Sequence, residues 1–292
     1  MGSLKEVRNR ITSVGSTQQI TKAMKMVSAS KLRRAQDHIV QMRPFANKLK
    51  EILENLSSSI GSAEGGAYAK VRPANKILLV AFTSNRGLCG AFNSNVIRSI
   101  VRLMHGKYEE QNKAGNVKIY CVGKKASDYF SKTSAYIGNS NDLINTSDFD
   151  ALAALAENIM KEFTKGEYDR VEIVYNQFKN AAVQNVTTEQ FLPIQPAVVE
   201  VKAKMVQEYI FEPSQSEIVL ELIPKSLKIQ LYKALLDSIA SEHGARMTSM
   251  SKATDNAQEL LKQLKLSYNK ARQASITAEI LEIVGGANAL GA

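Results

Sequence analysis

From Pro224 to Val284 the chain runs about sixty residues with no further proline, with charged residues recurring throughout and one internal glycine, Gly244. The pattern reaches a glycine pair at Gly285 and Gly286, where a left-handed helix cap is cheap. A helix of that span is ~90 Å long at 1.5 Å per residue, more than one domain core covers. Stepping alternately by three and four from His243 gives Arg246, Met250, Ala253, Ala257, Leu260, Leu264, Ser267, Ala271, Ala274, Ala278 and Leu281. That is a heptad seam. Small residues dominate it, so a partner helix can approach closely, and one position, Arg246, holds a cation.

A partner of matching length stands at the other end of the chain. Ser3 and Glu6 have the spacing of a capping box, which starts a helix at about Leu4. One register then runs through Leu4, Val7, Ile11, Val14, Gln18, Thr21, Lys25, Ser28, Leu32, Ala35, Ile39, Met42, Ala46, Leu49, Leu53, Leu56 and Ile60. Its middle is polar, and there the apolar stripe moves to Ile20, Met24 and Val27. Pro44 falls inside the run and removes a hydrogen bond or bends it, and Gly15 weakens it. The heptad phase survives both, so the reading is one long helix. The expected fold class is α/β: an antiparallel coiled coil of the N- and C-terminal helices, residues 1–60 and 224–287, closed by a small domain between them.

That domain, residues 75–195, follows a linker-like stretch at 61–75 rich in Gly and Ala with Pro73. Buried strands are expected at 76–84 and 117–123 and helices at 94–105, 124–132 and 148–165, the last capped by Ser147. Strands at 171–178 and 183–192 form an antiparallel pair. Strand and helix alternate as in a Rossmann-like α/β layer. A connecting segment, 196–223, contains a second capping box, Ser214 with Glu217, and a short helix that Pro224 interrupts.

Of the 292 residues 44% are apolar, ordinary for a soluble chain. No run of eighteen apolar residues occurs, so nothing inserts directly into a bilayer, and the helix pattern begins too early for a leader peptide. The net charge is +10. Residues 1–50 hold eleven Lys and Arg against two Asp and Glu, a surplus of nine. Such a block suits a solvated helix face, a nucleic acid or an acidic protein surface. Against nucleic acid, Phe45 is the only aromatic among these cations, which leaves no stacking platform. Composition does not choose among the three.

Candidate chemistry is sparse. The turn Arg86-Gly87-Leu88-Cys89-Gly90 leads from a strand into a helix, the right place for an anion, but it lacks the G-x-G-x-x-G spacing. Gly123-Lys124 fails as a P-loop, because positions 118 and 125 are both lysine. His38, His105 and His243 are scattered, and no Cys/His cluster has metal-ligand spacing. Cys89 and Cys121 read as free, partly buried thiols. Asp148 and Asp150 read as helix capping and dipole compensation rather than a catalytic pair. The residues alone describe a coiled coil with a small globular domain and no evident catalytic, cofactor or metal site.

Three stretches carry a resemblance. Arg8–Leu32 (RNRITSVGSTQQITKAMKMVSASKL) is similar to the opening motif of the gamma subunit of the F-type ATP synthase, the central rotor shaft. Thr83–Gly90 (TSNRGLCG) resembles that family's first strand-turn, and Ser267–Ala287 (SYNKARQASITAEILEIVGGA) its C-terminal signature. Residues 100–210 agree in layout only. The resemblance implies a non-catalytic rotor subunit without cofactors, coupling proton-driven rotation to conformational cycling of the catalytic beta subunits. Its partners would be the alpha and beta subunits of the hexamer, the epsilon subunit and the membrane c-subunit ring. Carried over position by position, Met24, Lys25, Arg246, Arg272, Gln273 and Thr277 would meet charged loops of the beta subunits. Ala278, Ile280, Leu281, Ile283 and Val284 would ride in an apolar sleeve. The cations suit acidic loops. The regulatory cysteine pair of the chloroplast form is missing, so thiol control is not expected. The absent presequence favours a bacterial membrane, with the subunit peripheral on its cytoplasmic side. A nucleic-acid-binding coiled coil and a weak nucleotide-binding enzyme stay open as other classes. They would show steep salt-dependent DNA affinity and ligand saturation at Arg86–Gly90.

Overall fold

A computed structural model describes residues 4–57, 68–194 and 215–290. The chain divides into two compact units, Met1–Ser28 with Met247–Ala292, and Ala29–Arg246. Two helices contribute to both: α1, Leu4–Ser57, and α7, Gln215–Leu290.

In the first unit the two helices lie antiparallel. Arg8 Nη2 donates to Tyr268 Oη at 2.8 Å, Thr254 Oγ1 bonds Thr21 Oγ1 at 2.9 Å, and Lys25 Nζ donates to Ser251 Oγ at 3.0 Å. Each step forward on α1 is matched by one backward on α7, which fixes the register. The α1 face follows the expected positions Leu4, Val7, Ile11, Val14, Gln18, Thr21 and Ser28, with Met24 replacing Lys25. The expected move of the stripe to Ile20 and Val27 does not occur: those side chains are 59% and 57% exposed, while Ser28 is buried. Hydroxyl groups explain it. Ser28 Oγ satisfies itself on Met24 O at 2.8 Å, and Thr21 is satisfied by Thr254, so small polar residues can occupy a tight seam that Ile and Val would hold open. On α7 the less exposed positions are Met250, Thr254, Ala257, Leu261, Leu264, Tyr268, Ala271 and Ser275. Half of the expected seam is therefore right. The alternate positions fall one residue later, and Leu260 is 44% exposed.

The second unit is built on a five-stranded sheet of order β3-β2-β1-β4-β5. The strands are β1 (Ile77–Phe82), β2 (Val117–Val122), β3 (Tyr136–Asn139), β4 (Arg170–Phe178) and β5 (Gln184–Leu192). The first four pair in parallel and β5 returns antiparallel to β4. All six residues of β1 (ILLVAF) are buried, as an unalternating apolar run requires of a central strand covered on both faces. Around the sheet lie α2 (Phe92–His105), α3 (Glu109–Lys113), α4 (Lys124–Phe130), α5 (Leu143–Thr146) and α6 (Phe149–Lys165). Residues 133–146, for which the pattern gave no element, hold β3 and α5; they are too short for a period to register. Gly123, between β2 and α4, has φ 116°, and a Cβ there would lie 2.0 Å from Thr83 O.

Three local expectations are corrected. Asp148, not Ser147, caps α6: its side chain accepts from Asp150 N at 3.0 Å, because Ser147 is already spent closing α5 at φ 52°. Helix α7 runs unbroken through Pro224. The one lost bond is offset by burial of Ile223, Leu227 and Leu231. It also continues past Gly285 and Gly286, neither of which takes a positive φ, so the expected left-handed cap does not form there. Helix α1 likewise contains Pro44 without a break. Ser3, Ser214 and residues 196–213 lie outside the described residues.

Within this unit α7 packs on β4 and β5. Ser241 Oγ donates to Asn176 O at 2.9 Å, and Gln230 Nε2 to Gln190 O at 3.2 Å. Gly244 is the close point. A Cβ there would stand 3.2 Å from Ala181 Cα and 3.3 Å from Ala181 O, so glycine lets the helix settle onto the β4–β5 turn. In α1, Leu32, Ala35, Ile39 and Leu49 are buried, as the register expects.

Truncating a buried and an exposed side chain of α1 should separate core from surface. Ile39→Ala should cost about 2–5 kcal/mol. Ile20→Gln should stay within about 0.5 kcal/mol. Chemical denaturation of the purified chain measures both.

Candidate functional site

Two kinds of side chain could act beyond the chain: those turned outward along the first unit, and a buried ionic cluster at the turn after β1. The expected contact residues divide between them. Lys25, Arg272, Gln273 and Thr277 are exposed and Met24 is half-buried. Thr277 Oγ1 satisfies itself on Gln273 O at 2.9 Å. Arg272 lines a shallow groove with Leu4, Lys5, Arg8, Tyr268, Ser275, Ile276 and Glu279, a mixed lining in which three cations face one carboxylate. Beyond it Ile280, Leu281 and Val284 are 55%, 66% and 50% exposed, and Ile276 and Ile283 are uncovered with them. So much adjacent apolar surface on one helix end marks an interaction surface.

Arg246 is placed differently: it is buried, at 8% exposure. Its Nη1 donates to Glu242 Oε1 at 2.6 Å, one helical turn earlier. Nη2 donates to Arg86 O at 3.0 Å and Gly87 O at 3.2 Å, and Nε to Gly87 O at 3.3 Å. The turn that might have cradled an anion thus offers its carbonyls to a guanidinium. Ser84 Oγ donates to Arg86 O at 2.6 Å, and Asn93 Oδ1 accepts from Ser84 N at 2.9 Å. Leu88 and Gly90 hold left-handed conformations at φ 63° and 59°. Glu242 escaped the sequence reading, although its i,i+4 spacing from Arg246 was the available signal.

Burial sets the protonation here. It raises the Glu242 carboxyl above its ordinary value, against the pull of Arg246, Lys31 and Arg86. It lowers the His243 imidazole to about 4, with Arg246 and Lys31 adding repulsion. The Cys89 thiol is pushed up by burial, outweighing the Ser84 bond and Arg246, and Cys121 is pushed to about 12. A thiol so raised is a poor nucleophile. Among the described residues no group of three or more His, Cys, Asp or Glu is disposed to hold a metal, and no helix is long and apolar enough to cross a membrane.

The chain matches the ATP synthase family model over residues 3–290. It is 60% identical over 291 residues to the ATP synthase gamma chain of Flavobacterium johnsoniae and 54% identical over 293 to that of Cytophaga hutchinsonii, each alignment covering 99% of both chains. Among solved structures, it resembles a central stalk and c-ring chain of the Tetrahymena thermophila mitochondrial ATP synthase. There the TM-score is 0.58 at 27% identity, over 80% of this chain and 99% of that one. A chain of the Euglena gracilis mitochondrial enzyme, in rotational state 3, shares the fold at TM-score 0.68 and 23% identity, over 98% of this chain and 94% of that one. Fold and likenesses together define a non-catalytic central-stalk subunit of a rotary ATP synthase. The chain belongs to the gamma-chain family of the F-type enzyme.

Two outcomes follow from the buried cluster. Arg246→Met leaves Glu242 buried without its partner and should cost about 3–5 kcal/mol, whereas replacing both by Met and Leu should recover most of that loss. Because the folded-state imidazole of His243 titrates low, the unfolded chain takes up its proton first, below about pH 6.5. Its contribution is therefore full above that pH, falls as pH drops toward 4, and is level below. Thermal midpoints between pH 7 and 5 should decline less steeply in His243→Leu than in the unaltered chain.

Proposed function

We propose that this chain is the rotor of a proton-translocating bacterial ATP synthase, turning inside the hexamer of alpha and beta subunits. Residues 1–60 and 224–287 would form the turning element, and 75–195 the domain that meets the epsilon subunit and the c-subunit ring, with 196–223 connecting them. The subunit would be peripheral, on the cytoplasmic side of the cell membrane, and would touch no nucleic acid.

One observation carries the reading. From Ile276 to Asn288 every residue of α7 is exposed, and five large aliphatic side chains among them are uncovered. An apolar surface of this extent marks a place that a partner covers. Ile280, Leu281 and Val284 supply a sliding apolar contact, while Lys25, Arg272, Gln273 and Thr277, with the half-buried Met24 beside Lys25, meet charged loops of the beta subunits, the cations pairing with acidic groups. Arg246 belongs to the same group by its place in the sequence, and its internal bonds argue that it acts through the turn it holds. No bond chemistry falls to this chain. Its uneven surface gives three otherwise equal catalytic sites different free energies, and turning it exchanges them, which is what conformational coupling requires.

The test compares the purified chain with the reconstituted enzyme. The double change Leu281→Asp and Val284→Asp should leave the thermal midpoint of the isolated chain unmoved, as both side chains are solvated there. Proton-driven ATP synthesis in membrane vesicles should fall about tenfold or more, since burying a carboxylate in an apolar sleeve is costly. Undiminished synthesis would remove the sliding-contact assignment.

A further inference from the structure

The buried cluster invites a closer look because all three guanidinium nitrogens of Arg246 are engaged. Nη1 is held by Glu242, while Nη2 and Nε together span two successive carbonyls of the turn, Arg86 O and Gly87 O. A charged fork bridging a carboxylate on its own helix to backbone on another element is a directional link, not a sliding one. The turn is also pinned from beneath. Cys89, 1% exposed, packs between Phe92 at the start of α2 and Ala245, the residue before Arg246. Between these two anchors Leu88 is held at φ 63°, a conformation that L side chains seldom adopt, with its side chain 61% exposed. Nearby bonds reinforce the junction: Ser241 donates to Asn176 O on β4, and Asn176 Nδ2 donates to Phe92 O at 3.2 Å.

We propose that Arg246, braced by Glu242, is a positioning residue: it locks α7 to the turn at the carboxyl end of β1 and holds Arg86–Gly90 in its left-handed form, so that helix and sheet turn together. The second clause rests on the rotor reading; the first does not. Arg246 then serves coupling from inside the chain. A lysine in its place keeps a positive charge for Glu242 but cannot span two carbonyls, so the lock separates from the ion pair.

The two free cysteines make the test internal. Cys89 lies in the turn and Cys121 in β2, and both are buried. In the purified full chain, Arg246→Lys should speed N-ethylmaleimide labelling of Cys89 about tenfold or more while Cys121 stays protected, since only the turn opens. In the reconstituted enzyme the same variant should hydrolyse ATP while pumping about half the protons per ATP or fewer, because the link between helix and sheet has slackened. Arg246→Met, which also orphans Glu242, should exceed it on both counts. Labelling of Cys89 unchanged in Arg246→Lys, or Cys121 rising in parallel with it, overturns the lock. Selective opening of Cys89 with full pumping overturns its role in coupling and leaves the rotor reading intact. That reading fails separately, if the unaltered chain restores no pumping to the hexamer.

Discussion

How closely two helices from opposite ends of the chain can approach is the constraint on which the first unit depends. Thr21, Ser28, Ser251, Thr254, Ala257, Ala271 and Ser275 line or border the seam. Side chains this small bury little apolar area each, so no single contact contributes much. Cohesion comes from proximity over many turns and from hydroxyls that find partners inside the pair, as Thr21 does with Thr254. The same choice has an outward consequence. Large aliphatics that would fill an ordinary seam, Ile20 and Val27 among them, are left facing away from the partner helix. A narrow seam and a sticky exterior are one solution seen from two sides.

In the second unit α7 meets the opposite situation. From Ala234 to Glu242 no residue is exposed, so the helix is covered all round there. Yet Asp237, Ser238, Ser241 and Glu242 are polar. An apolar helix in an apolar groove can rotate about its axis at modest cost. Bonds such as Ser241 to Asn176 O and Arg246 to Arg86 O have direction and fix that rotation. The polar residues contribute little net stability once desolvation is counted. What they supply is a single orientation, which a part transmitting torque needs more than it needs extra stability.

The sequence made the large features legible because they are periodic. A continuous heptad phase survives Pro44, and unalternating apolar runs such as ILLVAF mark covered strands. What it could not choose was the seam of α7 between neighbours of equal character. Leu260 and Leu261, or Ala274 and Ser275, satisfy a stepping of three-then-four and four-then-three alike. Only the partner decides, and Tyr268 reaching Arg8 settles it. The α1 stripe misled for a related reason: hydrophobicity favoured Ile20 and Val27, while closeness favoured Thr21 and Ser28. Of the proposed contact residues on α7, Arg272, Gln273, Thr277, Ile280, Leu281 and Val284 are exposed, while Arg246 is buried. Its place on the apolar stripe was legible; its carboxylate partner, Glu242, one turn earlier, was not read from the sequence.

That inward turn changes how the charge of the chain should be weighed. With Arg246 paired to Glu242, the outward charge rests on exposed cations such as Arg10, Lys22, Lys25, Arg33 and Arg34 of α1 and Lys270 and Arg272 of α7. Phe45 is exposed as well, and residues 1–50 hold no second aromatic, so this stretch offers charge without a platform for bases. Cations spread around a helix attract acidic groups from any direction and so lower the energy of every rotational position alike. Coupling needs the reverse, a free energy that differs between positions. On the rotor proposal, then, the charge would draw partners together, and any discrimination among catalytic sites would fall to the uneven part of the surface. The exposed apolar end of α7 is the most uneven stretch of that surface, and on the rotor proposal it is where such a difference would arise.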